Sequence, residues 1–294
     1  MDLGIFLHDK RIVVDNTLKD IFASLHTTPG VLRDAMEYSL FSNGKRIRPI
    51  LAIAACEANG KASDDLLPLA CAIEMIHTYS LIHDDLPCID NDDTRRGKPT
   101  CHKVFGDALA ILAGDALLTE AFRIMTDKHF TYRIGPKILK QLIFEVASSA
   151  GASGMVGGQV MDVLYDGKEA TKNILNFIHM HKTTALIRSS VRIGAMVGGA
   201  KVKELKKFTT YAESIGLAFQ ITDDILDTEG NEEIVGKKLK KDSGKQTYIK
   251  HYGLVASKTK VEQLIEEATE AIEFLGENSK TLSALAGYIC NRIS

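Results

Sequence analysis

No C-x-x-C pair occurs in this chain, and its cysteines are few and odd in number, five in 294 residues. That pattern gives no footing for a disulfide framework or a zinc site, and it suits buried free thiols in a reducing cytosol. Charge of one sign is not in excess either: 36 basic side chains against 38 acidic ones leave a net charge of −2. Without a polybasic field, nucleic acid and anionic membrane are not expected partners. There is no run of about eighteen apolar residues of the kind that spans a bilayer. The start of the chain, from Met1 to Lys10, lacks the basic segment and long apolar core of a signal peptide. A cytoplasmic protein with no membrane span is the expectation.

Proline is scarce as well. The six prolines (Pro29, Pro49, Pro68, Pro87, Pro99 and Pro136) stand near segment boundaries, and the stretches between them are rich in alanine and leucine, as from Ala108 to Met125 and from Ile138 to Ala150. Val261, Leu264, Ile265, Ala268, Ala271 and Ile272 recur at helical spacing with acids opposite. No series of alternating strands with turn signals appears. Gly151 to Gly158 and the charged stretch from Glu229 to Gln246 read as loops or helix joints, and apolar helical patterns resume on both sides of each. The expectation is a single all-α domain over residues 1–294.

What the chain does have is acid in two concentrated places. Asp84-Asp85-Leu86-Pro87-Cys88-Ile89-Asp90 closes one apolar stretch and Asp223-Asp224-Ile225-Leu226-Asp227 closes another. A lone Asp-Asp pair is more often solvated surface than site. Here, however, carboxylates that repel one another end greasy segments, a costly arrangement unless a cation neutralises them. The segments echo each other at an offset of 139 residues, Glu74 with Glu213, Ile76 with Ile215, Ile82 with Ile221 and Asp84 with Asp223. Clustered oxygen ligands suit Mg²⁺, which keeps waters and bridges carboxylates to substrate phosphates. Asp223 and Asp227, four apart, share a helix face. Asp84 and Asp90 would diverge by roughly 120° on an unbroken helix, so Pro87 is expected to mark a bulge or helix end that returns Asp90 to Asp84.

Other phosphate and metal motifs fail. Gly230 and Gly236-Lys237 have five residues between them where a P-loop has four, and Lys238 follows instead of Ser or Thr. An EF-hand begun at Asp90 would have Arg95 at its glycine position and Cys101 at its glutamate position. Basic residues complement the acids: Lys45, Arg46 and Arg48 put three cations in four positions, Arg95-Arg96 follow the first cluster, and Lys182-Thr183 and Lys237-Lys238 lie further on. Each alone reads as surface charge; with two metal-ligand clusters they point to a pyrophosphate site. His77, two helical turns before Asp84, is on spacing alone as well explained by a core histidine. Gln159 and Gln220 are amides in apolar settings that need partners.

The segment from Ser80 to Thr100, with Ser80-Leu81-Ile82-His83-Asp84-Asp85 at its head and Asp92-Asp93-Thr94-Arg95-Arg96-Gly97 behind, resembles the first aspartate-rich region of trans-prenyl diphosphate synthases. It is most similar to that of the bacterial farnesyl diphosphate synthases, whose motif has two extra residues. Gly44-Lys45-Arg46-Ile47-Arg48-Pro49, Gly157-Gly158-Gln159, Lys182-Thr183, Phe219-Gln220-Ile221-Thr222-Asp223-Asp224 and Gly236-Lys237 follow the family's order, from about Phe41 to the C-terminus. Asn43 and Thr94 depart from the usual Gly and Leu without touching an expected ligand.

The resemblance implies an isoprenoid synthase fold, a single large helical bundle around a central substrate cavity, working as a homodimer. It implies that Asp84 and Asp90 bridge two Mg²⁺ ions and Asp223 holds a third. Asp85, Asp224 and Asp227 would act indirectly. Arg95, Lys182, Thr183, Gln220 and Lys237 would contact the allylic diphosphate, and Lys45, Arg48, His77 and Arg96 would hold isopentenyl diphosphate. The implied reaction is Mg²⁺-dependent head-to-tail condensation of isopentenyl diphosphate with dimethylallyl or geranyl diphosphate. Tyr79, five residues before Asp84, resembles the aromatic residue that limits product length in farnesyl synthases, with small Ser80 above it; a geranylgeranyl synthase is the alternative. A terpene cyclase would carry different ligands in its second motif, and a non-catalytic partner subunit of a prenyl synthase tends to lose aspartates that both clusters here retain.

Overall fold

Four of the six prolines sit at helix starts, where a missing N–H is tolerated. Pro29 is the N-cap of α2 (Gly30–Leu40), Pro49 lies in the first turn of α3 (Ile47–Ala58), Pro68 is second in α4 (Leu67–Asp84), and Pro136 opens α8 (Pro136–Ala150). The structure is a computed structural model that describes residues 2–229 and 246–290. Helix α1 (Leu3–Ala23) precedes these, its first turn capped by the Asp2 carboxylate, which accepts from the Gly4 and Ile5 N–H groups at 2.8 and 3.2 Å. After α4 come β1 (Thr94–Arg95) and β2 (Lys98–Pro99), then α5 (Cys101–Phe105), α6 (Asp107–Thr126) and α7 (Lys128–Thr131). Beyond α8 lie α9 (Met155–Leu164), α10 (Lys172–Ile178), a π-helical turn (His179–Thr184), α11 (Ala185–Val197) and α12 (Val202–Glu229). The described chain closes with α13 (Tyr248–Tyr252), α14 (Leu254–Ala271) and α15 (Lys280–Cys290). The two-residue strands pair as one antiparallel hairpin, so the fold is all-α as the composition predicts.

Contacts gather the chain into two units, residues 2–50 with 64–139, and residues 51–63 with those from 140 onward. In the first unit α4 is the core, packed by α1, α2 and α6. It is buried nearly all round, from Pro68 and Leu69 to Tyr79 and Ile82. The stretch Asp64–Asp84 is in fact apolar and long enough, at 21 residues, to cross a membrane on length and composition alone, which corrects the expectation of no such run. Burial of 72% of its most apolar window marks it as a core helix. One charge interrupts it: Glu74 is 1% exposed and accepts from Arg46 at 2.9 Å. Arg46, buried at a φ of 52°, also donates to Asp15 at 2.8 Å and to the Leu40 carbonyl at 2.6 Å, tying α1, α2 and α4 to one side chain. Burial pushes its pKa down, but Glu74 and Asp15 outweigh that and leave it raised.

The second unit is built on α12, which packs against α11, α14, α15 and the π-helical turn. Phe208, Tyr211, Ala212, Ile215, Ala218, Ile221 and Ile225 form its buried stripe, and Tyr211 donates to the Leu282 carbonyl at 2.8 Å. The predicted joint at Gly151–Gly158 is shorter than expected, because α9 begins at Met155. Gly158 is inside that helix because a Cβ there would lie 2.2 Å from the Lys182 backbone nitrogen. The predicted loop from Glu229 to Gln246 falls almost wholly outside the described residues.

A second close approach occurs in the first unit, where a Cβ on Gly114 of α6 would lie 2.2 Å from Nε2 of His83. Gly114→Ala should lower stability by about 1–3 kcal/mol, the usual cost of overpacking. Because the clash is with one side chain, a denaturant double-mutant cycle with His83→Ala should recover most of that loss; additive losses would mean the strain lies elsewhere.

Candidate active site

Helix α4 ends at Asp84, and Asp85 caps it in αR geometry with its N–H on the Leu81 carbonyl at 3.1 Å. Beyond Pro87 the chain doubles back. Asp90 N–H donates to the Asp84 carbonyl at 2.9 Å, and Asp92 N–H to the Asp85 carbonyl at 3.2 Å. Asp84 and Asp90, which a continuous helix would separate, are thereby brought together and are both half-buried. Asp85 points inward instead: it is 3% exposed and accepts from Arg95 Nε at 2.7 and 2.9 Å, with Nη2 at 2.5 Å. Burial lowers the Arg95 pKa, yet its bonds to Asp85 and the charges of Asp84 and Asp92 leave it raised. The allylic-diphosphate residue expected at Arg95 is thus already held on its own carboxylate.

Arg96 follows at a φ of 53° in the hairpin turn and donates to Ser42 Oγ at 3.1 Å. Its pKa is lowered, by burial first and then by Arg46 and Arg95 against the pull of Glu74. Half-buried His77 lies in the same field: burial pushes its pKa well down, and Arg48, Arg96, Arg95 and Arg46 push it further. At neutral pH it is an uncharged imidazole beneath a group of guanidinium ions. Lys45 is exposed beside this group. Arg46 corrects the count of three available cations, since its guanidinium is spent on Asp15, Glu74 and Leu40. Tyr79 is 6% exposed, with its ring edge-on to His83 at 5.7 Å. Burial, and then the Asp84 carboxylate, raise its pKa to about 12. Ser80 Oγ donates to the His77 carbonyl at 2.9 Å.

The second unit gathers the other expected residues around α12. Asp223 and Asp227 are half-buried one turn apart on an unbroken helix, as their spacing predicts. Asp224 is buried; one oxygen accepts from Gln220 at 3.1 Å and the other from the Tyr248 N–H at 2.7 Å. Thr183 Oγ1 donates to Gln220 Oε1 at 2.8 Å, extending the chain to the π-helical turn. Lys182 donates to buried Asp162 at 2.6 Å. Buried Gln159 Nε2 finds no hydrogen-bond partner among the described residues. Lys237 and Lys238 lie outside the described residues.

Among the described residues no three carboxylate, histidine or cysteine groups converge into a ready-made metal cage. An ion held here would share its coordination with water and ligand oxygens, which is how Mg²⁺ binds. Asp84 and Asp90 in the first unit, and Asp223 in the second, each offer the hard oxygen donors that this ion takes, so the residue types fit it.

Over residues 29–281 the sequence matches the polyprenyl synthetase family. The chain belongs to that family. It is 46% identical over 290 residues to a geranylgeranyl diphosphate synthase of Cyanophora paradoxa, covering 98% of this chain and 95% of that one. It is also 46% identical over 291 residues to a farnesyl diphosphate synthase of Geobacillus stearothermophilus, covering 98% and 96%. The crystal structure of an FPP/GFPP synthase from Zymomonas mobilis superposes with a TM-score of 0.87 at 34% identity, covering 97% of this chain and 99% of that one. This polyprenyl synthetase is therefore an all-α prenyltransferase of isoprenoid biosynthesis whose family acts on prenyl diphosphates.

Sequence reasoning missed two residues of this synthetase that the geometry brings forward. Asp162 is the partner of Lys182, and its only signal was a three-residue spacing from Gln159. His179 is 3% exposed, with Nε2 3.6 Å from Asp224 and Nδ1 without a hydrogen-bond partner among the described residues. Burial drives its pKa from 6.5 to about 4, with His251 and Lys182 adding to the fall against Asp162. The folded protein thus keeps His179 neutral where the unfolded chain takes up a proton. Its contribution is complete above pH 6.5 and is lost as pH falls toward 4, on the order of 3 kcal/mol by linkage. Denaturant titrations at pH 7 and 4.5 should show a larger acid loss in wild type than in His179→Gln; equal losses would remove His179 as the source.

Proposed function

We propose that this polyprenyl synthetase condenses isopentenyl diphosphate with dimethylallyl and then geranyl diphosphate, releasing farnesyl diphosphate and pyrophosphate. The observation that carries this reading is the turn that returns Asp90 to Asp84, its N–H on the Asp84 carbonyl at 2.9 Å, in the unit that also carries Lys45, Arg48 and Arg96. An uncoordinated acidic surface would not need those cations, and a simple anion site would not need those carboxylates. Lys45, Arg48, His77 and Arg96 hold isopentenyl diphosphate; the neutral imidazole donates a hydrogen bond without adding to the repulsion among the guanidinium ions. Lys182, Thr183, Gln220 and Lys237 serve the allylic diphosphate, with Arg95 setting the loop through Asp85.

Asp84, Asp90 and Asp223 would hold three Mg²⁺ ions, whose chemistry is to offset negative charge on a departing diphosphate. Asp85, Asp224 and Asp227 act by holding backbone or water in place. The protein's own part is to orient both diphosphates and exclude water from the cation left by ionisation. Buried Tyr79, five residues before Asp84 on α4, favours the shorter farnesyl product. The geranylgeranyl alternative draws support from the Cyanophora relative, which is as similar as the farnesyl synthase. A non-catalytic partner-subunit role would leave intact aspartates in both clusters without use. As a homodimer the protein would cover exposed Ile111 and Leu112 on α6.

The deciding assay incubates the purified chain alone with dimethylallyl diphosphate, isopentenyl diphosphate and Mg²⁺, and identifies the dephosphorylated product; farnesol is expected. Geranylgeraniol would overturn the product, and no product would overturn catalysis by this chain alone. Asp84→Ala and Asp223→Ala should each cost about a hundredfold or more in turnover, the scale of losing one group that stabilises transition-state charge, with helix content unchanged by circular dichroism. Full turnover at saturating Mg²⁺ in either variant would sink the ligand assignment.

The two diphosphates separate in the steady state. Lys45→Ala and Arg48→Ala should weaken isopentenyl diphosphate by about 1.5–3 kcal/mol, roughly ten- to a hundredfold, as for one charged contact. Lys237→Ala should act on the allylic substrate. If all three variants affect both substrates alike, the division of sites is wrong.

A further inference from the structure

We propose that His83 is a positioning residue for product length, its imidazole holding the Tyr79 ring in the path of the growing prenyl chain. The inference rests on the reading that Tyr79 limits that chain. On a helix of 3.6 residues per turn, Ser80 lies about 40° from Asp84 around the axis and Tyr79 about 140°. Helix geometry alone therefore directs Tyr79 away from the side that Asp84 presents, and something must aim its ring.

His83 is four residues on, one turn along the same face of α4. Its ring meets the Tyr79 ring edge-on, centroids 5.7 Å apart at 80°, a favoured aromatic geometry. The imidazole is itself held from α6: Nε2 lies 3.0 Å from the Ile111 carbonyl. Gly114, three residues further along α6, clears the space, since a Cβ there would reach 2.2 Å from that nitrogen. Tyr79 is thus backed by a ring that is fixed at its far end to the neighbouring helix. Without the imidazole, the phenol loses the ring contact that fixes it on this face of α4.

Two substitutions separate the ring from the hydrogen bond. His83→Gln can still donate to the Ile111 carbonyl but has no ring, and His83→Phe has the ring but no donor. Products of each, and of Tyr79→Ala, are dephosphorylated and resolved by chromatography, with circular dichroism confirming the fold. His83→Gln should raise the ratio of geranylgeraniol to farnesol about two- to tenfold, the span of an aromatic pair's coupling, while His83→Phe should stay near wild type. Adding His83→Gln to Tyr79→Ala should lengthen products no further. If Tyr79→Ala lengthens products and His83→Gln only slows turnover, His83 has no part in length and the Tyr79 reading stands. If Tyr79→Ala leaves the ratio unchanged, that reading fails and this inference with it. A shift in His83→Phe equal to that in His83→Gln would assign the effect to the hydrogen bond and overturn the ring contact.

Discussion

Like charges packed side by side must be divided, and the way this chain divides them organises much of the rest. In each acidic pair one carboxylate is buried and given protein partners while its neighbour is left half-exposed. Asp85 takes the fork of Arg95, and Asp224 takes an amide from Gln220 and the backbone N–H of Tyr248. Satisfying the inner acid fixes the backbone on which the outer acids stand. Around Asp85 it sets the turn that joins Asp90 to Asp84; around Asp224 it ties α12 to the start of α13. A cation bound as proposed would meet carboxylates whose positions are set by their buried neighbours.

The cations obey the same division. Arg46 is fully engaged by Asp15, Glu74 and the end of α2, so it shapes the loop that carries Lys45 and Arg48 rather than presenting charge of its own. Removing either partner of such a buried pair leaves an uncompensated charge, at about 3–5 kcal/mol. Arg96 and His77 show the complement. Their pKa values are lowered by burial first and then by neighbouring arginines, with Glu74 pulling the other way on Arg96. A bound anion would offset the burial cost of the guanidinium, which is the physical basis for the proposed diphosphate site.

Helix positions were legible because proline placement and apolar periodicity act locally: α6, α8 and α14 run close to where the alanine and leucine patterns put them. The return of Asp90 to Asp84 was legible too, from a six-residue spacing interrupted by Pro87. What spacing could not reveal was which member of an acidic or basic run is consumed internally. Arg46 and Arg48 look interchangeable in sequence, and only the arrival of Glu74 and Asp15 from other helices separates them. Asp162 was hidden for the same reason, its partner Lys182 being twenty residues away on the π-helical turn. His83 carried no signal, because its role depends on a glycine on another helix.

Product length is the property least readable from overall similarity. Two relatives equally identical to this chain bear farnesyl and geranylgeranyl names, so the difference lies in few side chains rather than in the fold. A helix rises 1.5 Å per residue, and a single ring rotated about one bond changes the depth of a cavity by more than that. If Tyr79 limits the product as proposed, chain length depends on a rotamer, and a rotamer depends on what stands behind it. At Tyr79 that support is an imidazole seated against α6 where Gly114 leaves room. On the proposed reading, the determinant of product length extends from one aromatic residue on α4 to the seam between α4 and α6.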